Sequence, residues 1–301
     1  MKEKKEINLV LSGGSARGLA HIGVLSELEK HFRIKSIIGT SMGAIIGGLY
    51  AYGYSPEEIS DLPKSLNLIK LVSLFKPSFK ASGLTDGEGV LKLFTEITKE
   101  AVIDNIKIDF AAVSFDLKSK KSVIIDRGSL AKAMRASSSL PFIFQPFPYG
   151  KYLFVDGYIE HPLPIKFAKY FHKNALTVAC SVLPPFPAKF EVFQQESPEG
   201  SDNLPSMIDT FIQTNFYSQS STVLEALLEA KPDIYISAYD DELAFWELDE
   251  VDNFVEVGKT AAEKALEEFV SDKDHSHHRR FLKHLQESYT DFRKFVEKYS
   301  E

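Results

Sequence analysis

The chain is poor in cysteine and has no surplus of positive charge. Cys180 is the one cysteine among 301 residues, so no internal disulfide can form and no Cys/His zinc constellation can be assembled within the chain. That scarcity suits a reducing compartment, and a cytoplasmic location is the expectation. The formal net charge is -7, which argues against a nucleic-acid partner, because phosphate binding needs concentrated Lys and Arg. Any attraction to an anionic membrane must be local. Nowhere do about eighteen apolar residues run uninterrupted, so no helix is expected to span a bilayer. The apolar run Ile7–Leu11 is too short for a signal sequence and has no small-residue cleavage site after it. The mature protein is therefore expected to begin near Met1 and to be soluble.

What is present is ordinary globular material, 44% hydrophobic and 26% charged, long enough to bury a full core and expected to form one large domain. Ile7–Leu11 reads as a buried strand, followed by a glycine-rich stretch, Ser12–Gly18, that opens a helix to about His31. Ile34–Ile38 is a second strand, followed at once by a helix from Ser41 to about Tyr52. Strand, glycine turn, helix, strand, tight turn and helix in this order predict a parallel α/β sheet. Later strands are expected at Phe110–Phe115, Val123–Ile125, Leu153–Asp156, Leu176–Val182 and Asp233–Ser237. Helical spacing marks Leu130–Ala136, Ser206–Ala230 and Val255–Val270. Residues 183–205, rich in Pro, Glu and Ser, read as a mobile surface excursion, and residues 271–301 as a charged helical tail outside a domain of residues 6–270.

The chemistry concentrates at Gly39-Thr40-Ser41-Met42-Gly43, a G-x-S-x-G pentapeptide. The bare pattern is common; its context raises it, because an apolar strand ends at Ile38 and a small-residue helix begins at Ala44. A serine on such an elbow projects its hydroxyl outward, the flanking glycines permit the tight turn, and the helix aims its N-terminal amides at developing negative charge. The competing reading is a serine that merely caps a helix. A serine nucleophile needs a base, commonly histidine. The eight histidines include His21, His31, His161, His172, His275, His277 and His278, and none stands in a late strand-to-loop position. The loop Gly13-Gly14-Ser15-Ala16-Arg17-Gly18 lacks Walker lysine spacing and fits no dinucleotide fingerprint; alone it is a phosphate loop or a tight turn before a helix.

Four ordered blocks resemble the patatin-like phospholipase family. Leu11 to Leu25, containing Gly13-Gly14-Ser15-Ala16-Arg17-Gly18, is similar to its glycine-rich first block, and the elbow at Ser41 follows at the family spacing. Arg135-Ala136-Ser137-Ser138-Ser139-Leu140-Pro141 is similar to a third block and Val155-Asp156-Gly157-Tyr158 to a fourth; Asp233–Ile236 and Phe254–Ala265 resemble the closing strand and helix. The resemblance implies a three-layer α/β/α domain with a mainly parallel central sheet. It also implies a histidine-free dyad of Ser41 and Asp156, cleaving lipid acyl esters with no cofactor and no metal. Gly13, Gly14 and Ser15 would then offer oxyanion amides, with Arg17 ordering their loop or balancing its charge, and Gly18, Gly39, Gly43 and Gly157 would be the motif glycines. Rival readings are an acyltransferase on the same scaffold and a binding protein that has lost turnover. Three positions depart from the family pattern. Ser15 replaces a glycine and is expected to keep negative φ if its amide is to serve. Tyr158 replaces a small residue and is expected to narrow the acyl pocket, and His161 stands where many relatives carry Asn.

Residues 62–80 hold four lysines and no acid, with Lys64, Lys70 and Lys76 recurring along a wide apolar arc. This segment, within a lid or cap region at 62–100, reads either as a cap on the core or as an interfacial helix in peripheral contact with a membrane.

Overall fold

The computed structural model describes residues 4–65, 83–185, 218–243 and 247–271, with isolated positions 210, 214, 215, 286, 287, 290 and 294. The lysine-rich segment beyond residue 65, the excursion beyond 185 and the tail beyond 271 lie outside the described residues.

Among the described residues an eight-stranded sheet runs in the order β5-β6-β3-β2-β1-β7-β8, with β4 attached to β3. Its parallel part is β1 (Lys5–Leu11), β2 (Phe32–Thr40), β3 (Asp109–Asp116), β7 (Leu176–Ser181) and β8 (Ile234–Ser237). These strands read as near-continuous apolar runs because both faces are covered, as parallel sheets require. On one face Ile7, Leu9, Leu11, Ile37 and Phe110 meet the main helical layer. That layer comprises α1 (Ala20–His31), α2 (Met42–Tyr52), α3 (Pro56–Ser65), α4 (Glu88–Thr98), α5 (Leu130–Ser137) and α7 (Val251–Ser271). On the other face Val10 and Ala179 pack under α6 (Ser220–Ala230) and the short turn Ile165–Phe167. The result is the expected three-layer α/β/α architecture with a mostly parallel sheet.

The antiparallel corner is what positions the site. β3 carries β4 (Lys121–Ile125) along Ala112–Asp116 and β2 along Asp109–Val113. The two overlap at Ala112 and Val113, so they must occupy opposite edges of β3. β6 (Tyr152–Asp156) pairs antiparallel with Ser114–Asp116, where β4 already holds one edge. β6 therefore sits on the β2 edge, starting where β2 stops. Thr40 lies opposite Val113 and Asp156 opposite the next residue, Ser114. Two strands running toward each other thus deliver their last residues to one point.

The expected strands are all present, with ends shifted by a residue or two. Two differences have physical causes. The glycine-rich loop does not open α1 directly: a 3-10 turn, Ser15–Leu19, intervenes before Ala20. β5 (Phe147–Tyr149) was not anticipated, since three residues are too few to show an alternation.

Candidate active site

Ser41 caps α2 with φ 55 and ψ -122, a backbone conformation rare for a residue with a Cβ and costing about 1–3 kcal/mol. The flanking glycines make the elbow possible. A Cβ on Gly39 would lie 2.4 Å from the Gly43 carbonyl oxygen, and one on Gly43 would lie 2.5 Å from the Ser12 carbonyl oxygen. The amides of Ala44 and Ile45 both donate to the Ser41 carbonyl, closing the first turn of α2. The Ser41 N–H donates to Ser137 Oγ at 2.9 Å, and that hydroxyl donates to the Val113 carbonyl at 2.6 Å. Ser137 thus pins the elbow to β3. The sequence placed Ser137 in a block without giving it a task.

Asp156 is 1% exposed; its carboxylate accepts the Tyr158 amide at 2.9 Å and lies beside the Ser41 hydroxyl. Burial pushes its pKa up from 3.8 to about 7, and the Ser41 hydroxyl and the Tyr158 amide oppose the rise. The Asp156 N–H donates to the Ser139 carbonyl at 3.0 Å. Gly157 must be glycine, because a Cβ there would lie 2.3 Å from the Val113 carbonyl oxygen. Behind Ser139 stands Arg135, 1% exposed, donating to Ser139 Oγ at 2.6 Å and to the Asp86 carbonyl at 2.9 Å. Its guanidinium lies 4.6 Å and 5.3 Å from the ring centroids of Phe144 and Phe147, and burial lowers its pKa to about 10, so it remains a cation.

The glycine-rich loop packs against this pair: a Cβ on Gly13 would lie 3.2 Å from Ser41 Cβ. Two expectations about it need correcting. The Gly13 N–H donates to the Pro162 carbonyl at 2.9 Å, so it is committed to the segment after β6 and is not free to act as an oxyanion donor in this conformation. Ser15 has φ 53, in the left-handed region that favours glycine, and does not keep negative φ. The amides of Gly14 and Ser15 have no acceptor among the described residues. Gly18 packs against Met42, where a Cβ would lie 2.4 Å from Cγ. Arg17 is held by the chain after β8: its Nε donates to the Leu243 carbonyl at 3.1 Å and its guanidinium stacks 4.8 Å over Tyr239. It moors the loop to the segment after β8. The Tyr158 ring is buried with Leu163, Val223 and Leu227 in the second core, against Gly13.

No described histidine is placed as a base. His21 is fully buried, donates Nε2–H to the Ser12 carbonyl at 2.9 Å, and is held neutral by burial, with its pKa lowered to about 4. His161 is half-buried, its ring edge-on to Phe167 at 4.9 Å, and its carbonyl accepts the Thr40 hydroxyl. His172 pairs with Asp109 at 2.7 Å, at the start of β3 and so at the opposite rim of the sheet. Among the described residues no three His, Cys, Asp or Glu side chains cluster as metal ligands.

The comparisons with known proteins agree with this frame. The sequence model described as patatin-like phospholipase matches residues 9–169, more than half of the chain. An uncharacterized NTE family protein of Mycobacterium tuberculosis is 38% identical over 178 residues, covering 58% of this chain and 49% of the relative. Lysophospholipase NTE1 of Debaryomyces hansenii is 28% identical across 87% of this chain and 18% of its own length. The chain thus matches about half or less of the length of these curated relatives. In fold it is similar to VipD from Legionella pneumophila, with a TM-score of 0.53 over 89% of this chain and 67% of that one, at 12% identity. By the extent of the family match, the chain belongs to the patatin-like phospholipases.

Proposed function

We propose that this protein is a serine lipid acyl hydrolase working through a Ser41–Asp156 dyad on a domain of residues 6–270. The observation that carries the reading is the placement of the strained Ser41 elbow beside a buried carboxylate whose pKa is raised to about 7, at the point where β2 and β6 end on one edge of β3. A carboxylate at its ordinary pKa is a poor base at neutral pH; one near 7 is matched to the task.

In the reaction, Asp156 takes the Ser41 proton as Oγ attacks the ester carbonyl. The oxyanion of the tetrahedral intermediate is met by the amide of Gly14 and by the positive end of α2. Asp156 then returns the proton to the leaving alcohol, giving an acyl-enzyme at Ser41. A water, deprotonated by Asp156, attacks the acyl-enzyme, and the proton passes to Ser41 as the fatty acid leaves. The family and the NTE1 likeness support a lipid ester as substrate.

A fluorophosphonate probe tests the reading. It should label the wild-type chain at Ser41 and leave Ser41→Ala unlabelled. A folded wild-type protein that takes no label would overturn the proposal. Product analysis with an added alcohol separates hydrolysis from acyl transfer.

A further inference from the structure

β3 outruns β2. Its register with β2 ends at Val113, and the next three residues, Ser114–Asp116, project past the Ser41 elbow between β4 and β6. Two turns close this projection: residues 117–120 join β3 to β4, and residues 150–151 join β5 to β6. They lie side by side, because the Leu117 amide donates to the Leu153 carbonyl at 3.0 Å and Lys118 Nζ donates to the Lys151 carbonyl at 3.1 Å.

The tip they form is basic. Lys118, Lys120, Lys121 and Lys151 are all exposed, and Lys151 lies 5.3 Å over the Tyr152 ring. Leu117, between them, is 41% exposed. The nearest carboxylates do not reach out to these lysines. Asp116 is 2% exposed and turned inward, its oxygens accepting the amides of Leu153, Lys118 and Ser119. Glu160, on the flank, accepts the Ser122 hydroxyl. In a chain of net charge -7, this is a local reversal of sign, on a protrusion, around an exposed leucine, on the rim that carries the nucleophile.

We infer that this tip is the surface by which the protein docks on anionic lipid, with the four lysines at head-group level and Leu117 entering the interface. Lysine stems lie along apolar surface while their ammonium groups meet phosphates, which suits turns better than a flat face. β6 runs straight from the tip to Asp156. Its four steps span about 13 Å, so a lipid drawn partly out of the docked leaflet comes within reach of Ser41. The inference rests on the lipid-hydrolase reading for its purpose, and its test is independent of turnover.

The test is co-sedimentation of the full chain carrying Ser41→Ala with two kinds of vesicle: phosphatidylcholine and phosphatidylserine in equal parts, and phosphatidylcholine alone. The parent should prefer the anionic vesicles and should release them as salt rises. Adding Lys118→Gln, Lys120→Gln, Lys121→Gln and Lys151→Gln together should weaken anionic binding about a hundredfold at low ionic strength. With Ser41 intact, the same four changes should leave hydrolysis of a dispersed short-chain ester within about twofold of the parent, since they are remote from the dyad. A parallel variant with Lys64, Lys70, Lys76 and Lys80 all changed to Gln should lose less. Loss of binding in that variant with full binding in the tip variant would overturn the proposal, as would a parent indifferent to lipid charge. Anionic binding through the tip without any ester cleavage or probe labelling would uphold the docking surface and sink the catalytic reading instead.

Discussion

The two halves of the proposed dyad reach the same point by different routes. Ser41 is delivered locally: strand, tight turn and helix are contiguous, and the cost is backbone strain at one residue. Asp156 is delivered over more than a hundred residues, by an antiparallel strand that occupies the edge of β3 left vacant where β2 ends. In the proposed mechanism the parallel part of the sheet therefore supplies a nucleophile whose reactivity depends on turn geometry. The antiparallel corner supplies, in the same proposal, a base whose reactivity depends on burial. Damage to the first should remove attack, and damage to the second should shift a titration.

The largest effect expected is from Ser41→Ala. Loss of a covalent nucleophile costs several powers of ten, so residual esterase activity above about a hundredth of wild type would place the nucleophile elsewhere. The fold should survive, since one oxygen is removed at the elbow.

Asp156→Asn should be nearly as severe, about a thousandfold or more in kcat, because the amide keeps the shape but cannot take the proton. It also carries an opposite stability effect. In the folded chain the carboxyl titrates at about 7, against 3.8 in its ordinary state, so folding takes up a proton between those values. The stability that Asp156 contributes is therefore full below pH 4 and falls as pH rises to about 7, by about 4 kcal/mol in all. Asp156→Asn should accordingly melt at higher temperature than wild type above pH 7, with the difference shrinking toward pH 4. A variant destabilised at pH 8 would mean that the carboxylate is better stabilised in the folded chain than its burial implies.

Ser137→Ala probes the join between the two halves. It leaves the Ser41 N–H without its acceptor, a loss of about 1–3 kcal/mol. The expected result is a ten- to hundredfold fall in kcat, roughly, with KM little changed, measured on a dispersed ester. A drop in stability with unchanged kcat would make Ser137 part of the scaffold alone.

The smallest catalytic effect is expected from the histidines. His21→Ala should lower stability, since it opens a cavity in α1 and strips the Ser12 carbonyl of its donor, and should spare turnover in the protein that remains folded. If His21→Ala or His161→Ala matched Asp156→Asn in a folded protein, a triad would replace the dyad.

These contrasts also explain what could be read from the sequence. The elbow was legible because its turn, Gly39 to Gly43, is contiguous, and strand and helix periodicity flank it. Asp156 was legible through a resemblance of blocks; nothing in residues 153–157 says that β6 will pair with β3 on the edge β2 vacates, because register between distant strands leaves no local trace. The same limit hid the task of Ser137, whose hydroxyl bridges Val113 and Ser41 only after α5 packs. The loop was misjudged in two details for a related reason. Ser15 adopts positive φ as the first residue of the 3-10 turn Ser15–Leu19, which no local pattern announces, and Gly13 spends its amide on Pro162, a partner about 150 residues away.

The most direct test of Asp156 as the base of Ser41 is the pH dependence of fluorophosphonate labelling, which reports attack by Ser41 on the free enzyme. The wild-type rate should rise with pH through an apparent pKa of about 7 and level off above it, as a buried carboxylate that must lose its proton requires. That limb should vanish in Asp156→Asn, leaving a slow rate without the step, and should stay in place in His161→Asn. A limb that persists in Asp156→Asn, or that moves when His161 is changed, would contradict the assignment.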